Sequence, residues 1–269
     1  MAKQQTKRKR VVVIADLHCG HAVGLTPPAW WWREDTESQA KVCAKQKELW
    51  NFYTKTLDAL KPIDILIANG DLIDGKGLRS GGREQNTANR LAQCEMACIC
   101  LQYAKAKKYL IIYGTAYHTG HDEDWEAVAA EMLEADYVKV EGHAFPNING
   151  VQFDIKHHIG GAGVPHGRYT ALAREHLWNV VWQNRDEQQP KSGVLIRSHV
   201  HCHAYCGNAS FLAMTTPALQ GYGSIYGVRR CSGTVDIGLI HFDIEPNGDY
   251  TWRCHTSRLK QQTVKTLRL

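Results

Sequence analysis

The sequence predicts an α/β fold, and three observations carry the prediction. Short, wholly apolar segments alternate along the chain with stretches of helical periodicity. The apolar segments are strand-length, which is the pattern of strands buried on both faces. Several of them run into loops that hold Asp or His, in a chain of 269 residues with fourteen histidines.

Taken in order, Val11 to Ala15 reads as a first buried strand after a basic arm (Lys3, Lys7, Arg8, Lys9, Arg10). Residues 19–36 are irregular and contain Trp30-Trp31-Trp32. Val42, Leu49, Phe52, Tyr53, Leu57 and Leu60 repeat at helical spacing over 39–60, and Pro62 closes that helix. Ile63 to Asn69 is a second strand, 85–107 a second helix, Tyr109 to Gly114 a third strand and 122–135 a third helix. Further strands are expected at 137–141, 151–157, 193–198, 210–215, 234–244 and 249–255, with one long helix over 168–186. Asn247-Gly248 signals a hairpin between the last two strands. With no internal repeat or long linker, one domain is expected over 1–269, with a basic arm at 1–10 and a Trp-rich cap loop at 22–36.

Composition narrows the function classes. The apolar runs are too short to span a bilayer, and no apolar segment with a small-residue cleavage site follows the basic arm. A cytoplasmic protein is expected. Nine cysteines, an odd number with no C-x-x-C pair, read as reduced thiols, with Cys94, Cys98 and Cys100 as small buried hydrophobes in a helix. The net charge of +5 is modest for a nucleic-acid binder. Gly160-Gly161-Ala162-Gly163 is no phosphate-binding P-loop, because no Gly-Lys-Ser/Thr follows it.

In open α/β sheets, reactive side chains gather past the carboxyl ends of the strands. Those positions hold Asp16-Leu17-His18, Asp71-Leu72-Ile73-Asp74, Gly114-Thr115-Ala116-Tyr117-His118, His157-His158 and His199-Val200-His201. Singly, each Asp or His reads equally well as a helix cap or a satisfied polar residue. Together they form the mixed carboxylate and imidazole set that two divalent cations require for phosphoester displacement. On extended backbone, Asp-x-His and His-x-His would each present two ligands on one side.

In this order, the motifs resemble those of the calcineurin-like metallophosphoesterases, in a variety often carried by phages and prophages. The latter likeness runs from His157 through Gly167-Arg168 to Thr216-Pro217-Ala218-Leu219-Gln220-Gly221. The resemblance implies a four-layer sandwich of two mixed β-sheets flanked by α-helices, with the site at one rim. It implies metal ligands Asp16, His18, Asp71, His157, His199 and His201, with Asp71 bridging and Asp74 orienting a catalytic imidazole. Two divalent ions are implied, Mn first, with Fe or Zn compatible with the same ligands. The activity implied is hydrolysis of phosphodiesters, with nucleic acid as first-choice substrate, by a metal-bridging hydroxide. The alternatives are a phosphomonoesterase on nucleotides or phosphoprotein, and an inactive binding or scaffold protein that retains the site.

The sequence departs from the family where Thr115 stands in the position of a ligating Asn. His118 is then either the general acid or the missing second-metal ligand, in which case His121 is the candidate acid. Ser198 replaces a Gly, with no ligand changed. Arg168, Arg229 and Arg230 are candidate phosphate-binding residues. Trp30-Trp31-Trp32 reads either as an aromatic plug or as a stacking surface for substrate.

Overall fold

A computed structural model of the chain describes residues 7–78, 81–119, 124–162, 164–185, 188–230 and 233–259. Two mixed sheets face one another. The first has the strand order β11 (Tyr250–Ser257), β10 (Ile237–Ile244), β1 (Lys9–Ile14), β2 (Ile65–Asn69), β3 (Lys108–Ile112) and β4 (Val138–Glu141). The second has the order β5 (Asn147–Ile148), β6 (Val151–Ile155), β7 (Val194–Arg197), β9 (Leu212–Thr215) and β8 (Ala204–Gly207). β1 to β4 run parallel, as do β6, β7 and β9.

The apolar strands owe their composition to burial on both faces. In β1, Val11 and Val13 point between the sheets and join Ile67, Phe153, Ile196 and Phe242. Val12 and Ile14 point the other way, onto α1 (Glu37–Leu60), α2 (Arg90–Tyr103) and α4 (Trp125–Glu131), the short α3 (Ala116–Thr119) lying between α2 and α4 in the chain. On the far side of the second sheet, Leu195 and Ala213 pack against Ala171 and Leu172 of α5 (Gly167–Asn184). The result is the expected four-layer arrangement. Cys94, Cys98 and Cys100 lie in the core beneath α2, as expected.

Three local expectations need correction. The second helix begins at Arg90 rather than 85, because the Asn89 side chain caps it by accepting from the Leu91 and Ala92 amides. β8 was missed, being a short edge strand. The segment that holds Arg229 and Arg230, where no helix was expected, forms the short helix α6 (Ile225–Arg230). The Asn247-Gly248 turn is present, with Gly248 at φ 90° between β10 and β11.

Candidate metal centre

Four strand ends converge at one rim. Asp16, Asp71, His157 and His199 each stand two residues past the last residue of β1, β2, β6 and β7, respectively. The backbone there is not extended, contrary to expectation. Asp16 (φ 52°), His18 (φ 45°), Asp71 (φ 52°), His199 (φ 71°) and His201 (φ 52°) are all left-handed. Side-chain-bearing residues pay about 1–3 kcal/mol each for such strained backbone, which clusters at functional sites. The only other described non-glycine residues with positive φ are Lys105 and Asn149. The side chains therefore converge by sharp turns at the strand ends, not by strand alternation.

Two triads result. Asp16, His18 and His201 bring one ligand atom each to within 4.8 Å of one another, and so do Asp71, His157 and His199. In the first, His201 Nε2 lies 3.2 Å from both Asp16 Oδ1 and His18 Nε2. In the second, His157 Nε2 lies 3.1 Å from Asp71 Oδ2, and 3.9 Å from Asp16 Oδ1 across the gap between the triads. His18, Asp74 and His118 form a third such group.

Both triads fit cations. Asp16 Oδ1 and His157 Nε2 are buried and make no well-formed hydrogen bond, a costly arrangement unless another partner occupies the space. The electrostatics point the same way. Burial works against both carboxylates, yet the His201 charge holds Asp16 below its usual range and the His157 charge does the same for Asp71. Burial likewise opposes the charge on His157, but Asp71 and Asp16 carry it up to about 9. Burial opposes His201 too, and Asp16 raises it. Burial and the His157 charge push His199 down to about 4, while burial and His118 lower His18. Without cations, protonated imidazoles balance the two buried carboxylates, and ion binding would displace those protons.

The surrounding residues hold the ligands in place. His157 Nδ1 lies 2.6 Å from the Asn69 carbonyl oxygen, leaving Nε2 for the site. A Cβ on Gly70 would meet His157 Nδ1 at 2.3 Å, and one on Gly114 would meet Asp71 Oδ1 at 2.2 Å, so both positions need glycine. The Thr115 amide donates to Asp71 Oδ1 at 2.7 Å, and its hydroxyl lies 3.0 Å from the same oxygen. Thr115 thus braces Asp71. Ser198, expected to matter little, ties the sheets together: its hydroxyl accepts from Asn69 Nδ2 and bonds Thr216 Oγ1, each at 2.7 Å.

His118 sits beside Asp74, with Nδ1 at 3.0 Å from the Asp74 carbonyl oxygen and 3.5 Å from Oδ1. It is grouped with His18 and Asp74, not with the Asp71 triad. His121 lies outside the described residues. A cleft of about 500 Å³ opens over the site, lined by His18, Asp71, His118, His199 and His201 with Arg168, Tyr117 and Tyr222. Arg168 donates to Thr234 Oγ1 at 3.2 Å. Arg229 is exposed on α6 and does not line the cleft, and Arg230 shares that helix. The exposed His158 ring lies 4.7 Å from that of His199, whereas His203 is tied to the Thr215 carbonyl. The sequence reading missed Gln85, whose Nε2 donates to Asp74 Oδ2 at 2.5 Å. Nothing in the local pattern marks it.

The fold and site together define an α/β sandwich with paired Asp/His clusters at one rim. No family model and no curated protein matches the sequence. Among solved structures, vacuolar protein sorting 29 of Cryptosporidium parvum is similar at 10% identity, covering 94% of this chain and 100% of that one, with a TM-score of 0.48. Wild-type Vps29 of Entamoeba histolytica complexed with zinc is 13% identical, covering 92% and 98%, with a TM-score of 0.44. A structure described as a novel archaeal phosphodiesterase is 10% identical, covering 91% and 99%, with a TM-score of 0.41. Likeness at this level bears on neither substrate nor mechanism.

Proposed function

We propose that the chain is a dinuclear-metal phosphoesterase. The observation that carries this reading is the pair of buried atoms without a well-formed hydrogen bond, Asp16 Oδ1 and His157 Nε2, among converging carboxylates and imidazoles. Asp16, His18 and His201 would hold one divalent ion and Asp71, His157 and His199 the other, with Asp71 shared. When bound, such a pair supplies charge to neutralise phosphoryl oxygens and lowers the pKa of a shared water.

The protein's own groups do the rest. Asp74 accepts from His18 Nδ1 at 3.0 Å, so that ring keeps Nε2 for an ion. His118 is the general acid in this reading: it lines the cleft, and its Nδ1 is engaged by Asp74. Arg168, on the cleft wall, is placed to engage phosphoryl oxygens of the substrate.

The substrate is a phosphoester, with a diester bond in nucleic acid as the first reading. A specific observation favours the second reading, a monoester or other small substrate. Residues 7–10 lie at the far end of β1, about 20 Å of strand from Asp16. There Arg10 pairs with Asp243 at 2.8 Å. Trp30 and Trp31 pack against the core under α1, and none of the three tryptophans lines the cleft. Residues 7–10 and the three tryptophans are therefore remote from the site. Turnover of a diester and a monoester reporter with Mn, Zn or Fe, by wild type and His118→Ala, tests both readings. Absence of turnover on either reporter or on oligonucleotides would favour the scaffold alternative.

A further inference from the structure

Asp74 joins the two halves of the site. Its Oδ1 meets His18 Nδ1 at 3.0 Å and His118 Nδ1 at 3.5 Å, and its main-chain oxygen meets His118 Nδ1 at 3.0 Å. Whatever fixes the Asp74 carboxylate therefore fixes one candidate ion ligand directly and steadies the residue whose main-chain oxygen engages the candidate acid.

A chain of neutral amides fixes it. Gln85 Nε2 donates to Asp74 Oδ2 at 2.5 Å, and Gln85 Oε1 accepts from Gln93 Nε2 at 3.3 Å. Gln93 is fully buried in the first turn of α2. Its Oε1 accepts from the Gly75 amide at 2.9 Å, and its two N–H groups are shared among the Gly75 carbonyl at 2.8 Å, the Thr87 carbonyl at 2.7 Å and the longer contact to Gln85. The slot is tight: a Cβ on Gly20 would come within 2.4 Å of Gln93, and one on Gly77 within 2.5 Å of Gln85. The donor order is self-consistent, because turning either amide over would set oxygen against oxygen. Neither glutamine lines the cleft, so neither reaches a substrate.

The geometry points to Gln85 and Gln93 as positioning residues for the metal centre, acting through Asp74 on His18 and His118. This inference rests on the phosphoesterase reading above. The choice of amides has a physical reason. A lysine or arginine at Gln85 would neutralise the carboxylate and weaken its pull on the His18 ring, whereas an amide fixes direction and leaves the charge in place. Anchoring through Gln93 ties that direction to α2 and to the 75–87 loop, so the carboxylate is set by the core and not by the loop alone.

The test uses the full chain and Mn²⁺ as the probe, with Gln85→Leu, the isosteric Gln85→Glu, and Gln93→Glu, which keeps the acceptor for the Gly75 amide. Mn²⁺ binding is followed by calorimetry and by the paramagnetic spectrum, in which a coupled pair differs from a lone ion. The variants are expected to lose about tenfold or more in affinity for one of the two ions, so that the lone-ion signal grows at limiting Mn²⁺. They are also expected to lose about tenfold in kcat with KM within about twofold. Unchanged ion affinity and kcat overturn the proposal, as does a fall in melting temperature with unchanged ion affinity, since that marks a purely structural role. If wild type binds two ions yet hydrolyses no phosphoester, the functional reading fails while the affinity ratio still decides the positioning role. If wild type binds no ion, both fall.

Discussion

The two triads at the rim draw alike on both sheets, but they differ in what stands behind them. His18 of the first is backed by the Asp74 carboxylate, itself held by Gln85. His157 of the second is backed, among the described residues, by the neutral Asn69 carbonyl. The second triad also has Thr115 beside it, braced on Asp71 by amide and hydroxyl. A charged partner raises the basicity of a ligating imidazole more than a neutral one does. The first ion is accordingly expected to bind more tightly, with the second held in a more open shell. Strain is distributed differently as well: His157 has ordinary backbone, while Asp16, His18 and His201 in the first triad, and Asp71 and His199 in the second, are left-handed.

The most severe way to break this comparison is to remove the carboxylate assigned to both ions. Asp71→Ala is expected to lower turnover by about a thousandfold, roughly 4 kcal/mol of transition-state stabilisation, and to leave at most one tightly bound ion, read by metal analysis beside kinetics. Turnover within tenfold of wild type would remove Asp71 from its shared role.

A second substitution separates the site from the scaffold beneath it. Arg197 is fully buried, 2.8 Å from Asp154 Oδ1 and 2.9 Å from Glu175 Oε2. Arg197→Met leaves buried Asp154 with His143 at 2.8 Å and Asn179 at 3.2 Å but without its guanidinium, and is expected to cost about 3 kcal/mol in denaturant unfolding. Once the variant is folded, its ion affinity should stay within a few-fold of wild type.

Glu126 sharpens the contrast through pH. It is buried, and its own burial and the nearby Asp71 push its carboxyl up from 4.5 to about 8, with the Leu72 and Glu126 amides only partly opposing. The folded chain thus keeps a proton that the unfolded chain has released. The Glu126 contribution to the stability of the ion-free protein should fall as pH rises from about 4.5 to about 8, beside a separate fall between about 6.5 and about 9 from the raised His157. Glu126→Gln should remove the Glu126 contribution alone and be more stable than wild type by about 2–4 kcal/mol near pH 8, with the two equal near pH 4. Parallel stability–pH curves for wild type and variant would refute the assignment.

The mildest change bears on the open shell directly. Thr115→Asn offers the second triad a further oxygen ligand and is expected to tighten that ion about tenfold, roughly 1.4 kcal/mol, with the first ion unchanged in a two-step titration.

Much of this architecture was legible in the sequence. The alternation of apolar strands with helical periodicity, and the Asp and His at successive strand ends, follow from burial on both faces and from loops that gather where parallel strands finish. What was not legible depends on distance in three dimensions. Gln85 and Gln93 look like ordinary polar residues until the fold sets Gln85 against Asp74 and Gln93 against Gly75. Thr115 looked like a lost ligand, and its role in bracing Asp71 appears only when the β2 and β3 ends lie side by side. The left-handed ligand backbone was hidden because Asp and His do not announce positive φ as glycine does. Residues 7–10 and the tryptophans show the converse: their chemistry suits a polyanion, and only the topology shows that they stand away from the cleft.

Metal analysis of the purified chain, loaded with Mn²⁺ and desalted, tests most directly whether the two triads hold ions. Close to two equivalents per chain are expected for wild type, falling to one or fewer when Asp16 or His157 is replaced by alanine. A wild-type chain that retains no divalent ion, or one whose ion content is indifferent to both substitutions, would contradict a dinuclear site.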